Sequence, residues 1–221
     1  MFIMKHTHAD LHDFKPDYEA ILSISGSRVF WFYKRVFDLV VCICLLPGLI
    51  ASCIVLLVLN PFLNKGPLFY VQMRMGRDCR PFQAIKFRTM SSVPKITRGH
   101  DDPIEADRIT LLGGFLRRSR LDEVPQILNV LRGDMSLIGP RPDYYEHAKN
   151  YLALIPGYKA RHQVRPGISG LAQVSLGYAE GIKATHKKTH ADHYYISNAS
   201  FRMDTRILYQ TLVTVATRSG A

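Results

Sequence analysis

The chain has 221 residues, of which 47% are hydrophobic and 21% are charged, and its formal net charge is +11. This length suits one domain, and this composition excludes both a disordered chain and a polytopic membrane protein. The four cysteines form neither a disulfide framework nor a CxxC pair, which favours a reducing or membrane environment. The basic excess predicts an anionic partner: a nucleic acid, an anionic lipid or a phosphorylated substrate.

An apolar run covers residues 39–59 without a charged side chain. A straight helix of this length reaches ~30 Å, which is enough to cross the hydrocarbon core of a bilayer. Pro47 interrupts the run, however, and basic residues flank both ends, which is typical of cytoplasmic flanks. On the residues alone, two geometries remain open: a kinked span, and a re-entrant helix that breaks at Pro47 and returns to the same side.

The rest of the chain predicts an α+β domain that is mainly helical and carries short strands. Apolar runs predict strands at 67–71 and 82–87 around a turn, followed by a polar loop at 91–106. Helical spacing marks residues 109–119 and 184–217. Another helix is expected to begin near Asp122, with Pro125 in its first turn, and to stop at Gly133.

Common catalytic signatures such as a P-loop, GxGxxG, GxSxG and HExxH are absent from the sequence. His186, His190 and His193 would align on one face of a helix, where they would form either a zinc site or a solvated basic face. The sequence favours the solvated face, because the two lysines after His186 would repel a cation.

Two adjacent carboxylates, Asp122 and Glu123, stand at this predicted helix start among the arginines 117, 118 and 120, with Arg141 following between two prolines. Acidic residues at a helix start commonly do no more than cap it. A functional interpretation is that free helix amides and arginines bind phosphates. Within such a receptacle Asp122, ionised at neutral pH, could act as a nucleophile, while Glu123 holds Mg²⁺.

Four ordered blocks in this region, at 86–90, 107–110, 113–142 and 164–174, resemble the bacterial sugar transferase family. Its members are monotopic phosphoglycosyl transferases that initiate exopolysaccharide and other surface glycans. The resemblance implies transfer of a sugar-1-phosphate from a UDP-sugar to undecaprenyl phosphate, with release of UMP. It further implies that Asp122 forms a covalent phosphosugar intermediate, that Glu123 binds Mg²⁺ and that Arg117 contacts phosphate.

By the same resemblance, Lys86, Arg88 and Arg141 are expected near the diphosphate and nucleotide. Pro47 matches the helix-breaking proline of the family's re-entrant helix, which favours the geometry that returns to one side. The chain departs from the family text at Arg120, where serine is common, and at residues 175–178.

The expected organisation is a mobile leader at 1–28, a re-entrant membrane helix at 29–64 and a cytoplasmic, membrane-associated catalytic domain at 65–221. The expected location is the cytoplasmic face of a bacterial inner membrane, and no nucleic-acid partner is expected. Two other functions stay open: a membrane-tethered nucleic-acid-binding protein, and a non-catalytic assembly scaffold that would tolerate loss of Asp122. The sequence identifies neither the sugar nor the glycan, and it leaves self-association as a homo-oligomer open.

Overall fold

A computed structural model describes residues 26–91, 105–176 and 181–217. The predicted leader and most of the 91–106 loop therefore lie outside the described residues. The described chain contains seven α-helices and four short strands, which agrees with the predicted α+β, mainly helical class. In chain order they are α1 (Arg28–Leu63), β1 (Phe69–Met75), β2 (Pro81–Phe87), α2 (Leu111–Arg118), α3 (Gln126–Arg132), β3 (Ser136–Ile138), α4 (Tyr145–Leu154), β4 (Gly167–Ser169), α5 (Leu171–Leu176), α6 (Ile182–Ser197) and α7 (Phe201–Ala216).

Helix α1 begins at a serine cap, where Ser27 Oγ accepts a hydrogen bond from the amide of Phe30 at 3.1 Å. The helix is continuous through Pro47 and Pro61 and does not end at either proline. A proline removes one intrahelical hydrogen bond, and a long helix can continue past it with a bend. By length and composition α1 could cross a membrane, since its most apolar window has a mean hydropathy of 2.9.

One narrow seam of α1 is buried. Cys42, Leu49 and Leu56 recur at intervals of seven and pack in one apolar cluster with side chains of α3, including Ile127 and Val130. Sevenfold spacing keeps buried positions on one face of a helix. Most other apolar side chains of the run are exposed, namely Val40, Ile43, Leu45, Ile50, Ile54, Val55, Leu57 and Val58.

The predicted strand hairpin is confirmed, with β1 beginning at Phe69 and continuing to Met75. Strands β1 and β2 pair antiparallel, with Phe69 opposite Phe87. A second pair went unpredicted: β3 and β4 run parallel, with Ser136 opposite Gly167 and Ile138 opposite Ser169. This pair joins the segment just before Pro140-Arg141-Pro142 to the segment just after Arg165-Pro166, and strands of three residues are too short for a periodic signal.

The predicted helix start near Asp122 is wrong in detail. Residues Leu121–Glu123 form a 3₁₀ turn, and α3 begins at Gln126, although it stops at Gly133 as predicted, with this glycine in the left-handed conformation. The amides of Glu123 and Val124 donate to the carbonyls of Arg120 and Leu121, at 3.2 Å each. These amides are therefore not free to bind phosphate, and the expected receptacle of helix amides is corrected accordingly.

The helical tail is confirmed as two helices, α6 and α7, which pack with α1 around Tyr195, Ile196 and Ile207. The expectation of a solvated histidine face is wrong for His193, which is fully buried with Nε2 at 2.9 Å from the carbonyl of Gly157. His186 and His190 are half-buried, and their rings lie 4.6 Å apart. Helix α6 packs against α5 and the turn at Tyr158–Gln163, so the end of the row at His193 belongs to the core.

Candidate active site

Glu123 is held by two cations that the sequence predicted near it. Lys86, from β2, places Nζ 2.7 Å from Glu123 Oε1. Arg141 donates from Nη1 to Oε2 at 3.1 Å and from Nη2 to Oε1. Burial alone would raise the pKa of Glu123, but the charges of Arg141 and Lys86 outweigh it and hold the pKa well below its usual range. Glu123 is therefore an anion with both oxygens occupied.

Asp122 stands beside this cluster in a different state. Its side chain accepts no hydrogen bond from the described residues, although the residue is only 9% exposed. Burial and the negative charge of Glu123 raise its pKa, against the lowering effect of Lys86, Arg141 and Arg117. The carboxyl oxygens of Asp122 are therefore left available to a ligand, in a site where cations attract anions.

Asn129 connects the strand and helix that carry these groups. Its side chain is fully buried on α3, where Oδ1 accepts from the amide of Ile85 at 3.0 Å and Nδ2 donates to the carbonyl of Gln83 at 2.6 Å. These bonds fix β2, and hence Lys86, against the helix that follows Glu123. The sequence carried a signal for this role, because Asn129 interrupts the apolar face of α3.

Arg141 is positioned by residues that sequence reasoning missed. Arg161 donates from Nη2 to the carbonyl of Arg141 at 2.8 Å and forms ion pairs with Asp143 and Asp192. Arg74 donates to the carbonyl of Pro142 at 2.9 Å. A small cleft lined by Arg74, Lys86, Gln126 and Arg141 opens at this point.

The remaining predicted residues lie in two other places. Arg117, in the last turn of α2, is close enough for its charge to lower the pKa of Asp122. Arg88 is separate from the cluster: its guanidinium donates to the carbonyls of Asn64 and Pro67, and Asn64 Nδ2 donates to its carbonyl at 2.7 Å. These contacts join the end of α1 to β2 and give a phosphate-binding role for Arg88 no geometric support.

Carboxylate oxygens are the donors that a hard cation prefers, but Lys86 and Arg141 already occupy both oxygens of Glu123, so a cation bound there would replace one of these contacts. Asp122 and Glu123 are adjacent carboxylates, and no group of three or more histidine, cysteine or acidic side chains in the described ranges could hold a metal ion. Mg²⁺ prefers oxygen ligands and usually binds one or two carboxylates together with water and substrate phosphates. A buried carboxylate pair among Lys86, Arg117 and Arg141 is therefore suited to a ligand that brings phosphate.

Comparisons with known proteins find similar sequences over most of this chain. A family model described as bacterial sugar transferase matches residues 29–218. A UDP-N-acetylgalactosamine-undecaprenyl-phosphate N-acetylgalactosaminephosphotransferase of Aeromonas hydrophila is 38% identical over 90% of this chain and 47% of its own length. A UDP-glucose:undecaprenyl-phosphate glucose-1-phosphate transferase of Caulobacter vibrioides is 41% identical over 85% of this chain and 71% of its own length.

Another relative, the exopolysaccharide production protein PSS of Rhizobium leguminosarum, is 36% identical over 84% of this chain and 96% of its own length. The chain thus spans about half the length of the Aeromonas relative and nearly all of the Rhizobium one. The family match covers most of the sequence and includes the four motif blocks and the carboxylate pair. The chain belongs to the bacterial sugar transferase family.

Proposed function

We propose that the chain transfers a sugar-1-phosphate from a UDP-sugar to undecaprenyl phosphate, releases UMP and so initiates the synthesis of an exopolysaccharide or another surface glycan. The names of the Aeromonas and Caulobacter relatives support a UDP-sugar donor and this acceptor. Because those names differ in the sugar, the proposal leaves the sugar unassigned.

One observation carries the mechanism: Glu123 takes both neighbouring cations, whereas Asp122 has no hydrogen-bond partner among the described residues. In the proposed first step, an oxygen of Asp122 attacks the β-phosphorus of the donor. The bond from that phosphorus to the bridging oxygen breaks, and UMP leaves with the electron pair. An oxygen of the lipid phosphate then attacks the aspartyl phosphosugar, which restores the carboxylate and forms the lipid diphosphosugar.

Three cations have defined tasks in this scheme. Lys86 and Arg141 keep Glu123 ionised and offset the phosphoryl charge, and Arg117 adds a positive charge beside Asp122. The bond between the sugar and its oxygen never breaks, so the anomeric configuration is retained. We further propose that Glu123 exchanges one of its two cation contacts for Mg²⁺, which when bound supplies charge neutralisation to the substrate phosphates.

Contacts at both ends of α1 support a monotopic arrangement at the cytoplasmic face of the inner membrane. Near the start of the helix, Asp38 accepts from Ser136 Oγ at 2.8 Å, and near its end Asn64 donates to the carbonyl of Arg88. Both partners belong to the domain that carries Asp122. A helix that crossed the bilayer would place one end on the opposite side, away from that domain.

The test incubates the purified full chain with a panel of UDP-sugars, polyprenyl phosphate and Mg²⁺. We expect release of UMP, and with donor alone we expect a phosphosugar adduct on Asp122 in the mass spectrum of the intact protein. Asp122→Asn should abolish both signals, and chelation of Mg²⁺ should suppress turnover. The matched control is Asp78→Asn, at an exposed left-handed position that asparagine tolerates. Release of UDP, or full activity of Asp122→Asn, would refute the proposal.

A further inference from the structure

A second basic cavity lies at the start of α1. It has a volume of about 300 Å³ and is bounded by the first turns of α1, the turn after β1, strand β3 and the residues before β4. Four arginines line it: Arg28, Arg35, Arg77 and Arg165. The proposed reaction uses none of them.

This cavity is separate from the carboxylate pair. Arg35 donates to the carbonyl of Val130 at 2.8 Å, and Arg165 donates from Nε to the carbonyl of Gly133 at 3.0 Å. These carbonyls mark the C-terminal end of α3, whereas Glu123 precedes its N-terminal end. At ~1.5 Å per residue, the seven-residue helix places about 10 Å between the two sites.

The charges in the cavity do not balance. Asp38 is the one carboxylate among its lining residues, and it already accepts from Ser136 Oγ and from the amide of Leu137 at 3.2 Å. Lys34 also lines the cavity, but its Nζ is paired with Asp204 at 2.6 Å. Four arginines thus share the cavity with one carboxylate, that of Asp38, and no ion pair in the described chain joins Asp38 to any of them.

Crowding of like charges is also visible at Arg165. Its pKa is lowered by burial and by the positive charges of Arg35 and Arg77. Capping the end of α3 accounts for Arg35 and Arg165, because both donate to its carbonyls. It does not account for Arg28, nor for Arg77, whose carboxylate neighbour in the described chain is the exposed Asp78, with Arg77 Nε 3.7 Å from Asp78 Oδ2. An anion in the cavity would satisfy all four groups.

The position of the cavity indicates the source of that anion. It opens beside the turn of α1 where Val29, Phe32 and Tyr33 are exposed by 60%, 64% and 55%. Exposed apolar side chains next to basic ones are typical of the depth at which a membrane surface holds its headgroups. Trp31, which also lines the cavity, is typical of the same depth.

We propose that this cavity binds the phosphate of an anionic phospholipid headgroup and thereby fixes the start of α1 at the membrane surface. A volume of about 300 Å³ lies at the small end of the usual range for ligand sites, which suits a headgroup. The site does not depend on the proposed reaction, so Asp122→Asn should leave its occupancy unchanged.

Trp31 is the only tryptophan of the chain, so its fluorescence reports directly on the cavity. The full chain in nonionic detergent micelles is titrated with phosphatidylglycerol, and separately with phosphatidylcholine, diacylglycerol, inorganic phosphate and UMP. We expect a saturable change with phosphatidylglycerol that weakens as salt is added. Arg28→Gln with Arg77→Gln should weaken the apparent affinity about tenfold or more, since two of the four arginines that line the cavity lose their charge. Arg80→Gln, in the same turn as Arg77 but outside the cavity, is the matched control.

Equal responses to phosphatidylglycerol, phosphatidylcholine and diacylglycerol would mean lipid partitioning and would overturn the proposal. So would an unchanged affinity in the double variant with wild-type circular dichroism. Saturation by UMP or inorganic phosphate at lower concentrations than by phosphatidylglycerol would assign the cavity to a soluble phosphate instead.

Discussion

The pKa of Lys86 lies within the range of pH in which enzymes work. Burial lowers its pKa to about 8, with the positive charges of Arg141 and Arg74 acting in the same direction and Glu123 opposing them. A lysine is charged below its pKa, so raising the pH through about 8 removes the cation that contacts Glu123.

We therefore expect kcat/KM for sugar-phosphate transfer to fall above about pH 8. Lys86→Arg should move this decline to higher pH, because a guanidinium stays charged there. The measurement is a pH–rate profile of both proteins in the same micelles. An identical decline in Lys86→Arg would show that another group limits activity.

Arg120 adopts a left-handed backbone, with φ of 57°, directly before the turn that carries Asp122. This conformation costs a side-chain-bearing residue roughly 1–2 kcal/mol. Arg120→Gly is expected to raise the free energy of unfolding by about 0.5–1 kcal/mol, whereas Arg120→Val should lower it by about 1–2 kcal/mol.

The comparison position is Arg118, in helical backbone, where Gly should destabilise because it weakens a helix. Thermal unfolding of the three variants and the parent protein in micelles checks the order. A destabilised Arg120→Gly would show that contacts of the arginine side chain outweigh the backbone cost.

At the scale of the element, we predict that both ends of α1 lie on the same side of the membrane. Val29 lies just inside the N-terminal end of α1, Lys65 lies just beyond its C-terminal end, and both residues are exposed. In a chain whose four native cysteines are replaced, Val29→Cys and Lys65→Cys should each react with a membrane-impermeant maleimide only after spheroplasts are lysed. Labelling of one site in intact spheroplasts would establish a span. Retained transferase activity is the control for folding.

The elements also show what local pattern can predict. The hairpin, α1 and the stop of α3 at Gly133 follow from apolar runs and one glycine. The pairing of β3 with β4 depends instead on close contact between distant loops: a Cβ on Gly167 would lie 2.2 Å from the amide nitrogen of Gly139. Glycine is required there, but the sequence does not reveal which backbone approaches it.

At the scale of the whole molecule, two buried histidines make the free energy of unfolding depend on pH. Burial and Arg161 lower the pKa of His162 to about 3, and burial lowers that of His193 to about 4. Both are neutral when folded but gain a proton on unfolding below about pH 6.5, so stability falls as the pH drops. Asp192 opposes this below about pH 6, because burial raises its pKa to about 6 and the folded state binds its proton.

We expect the free energy of unfolding to decrease between pH 6.5 and pH 5, and His193→Gln to reduce that slope by about 1.4 kcal/mol per pH unit. Urea unfolding in micelles at several pH values measures it, with pH 7.5 as the reference for both proteins. An unchanged slope would mean that His193 is protonated in the fold.

The candidate site likewise contains residues that could be predicted from the sequence and residues that could not. The family resemblance led to Lys86, and the pattern of charged residues led to Glu123 and Arg141; the fold brings the three into contact across 37 and 18 residues of chain. The supporting pair Arg161 and Asp192 was not predictable, because a buried ion pair between distant segments leaves no local pattern. Arg88 is the opposite case, because it was predicted near the diphosphate and does not lie in the cluster. It follows Lys86 by two positions but lies beyond the end of β2, and it donates to the carbonyl of Pro67 in the linker after α1.

The seam of α1 also limits how this protein can be handled. Because Cys42, Leu49 and Leu56 share a cluster with Ile127 and Val130, truncation before β1 would uncover the core beside Asp122. A deletion product is therefore expected to aggregate. A water-soluble form would instead keep those three residues and carry polar residues at the exposed apolar positions of α1. Redesign of the helix, and not its removal, is therefore the route to a protein that needs no detergent.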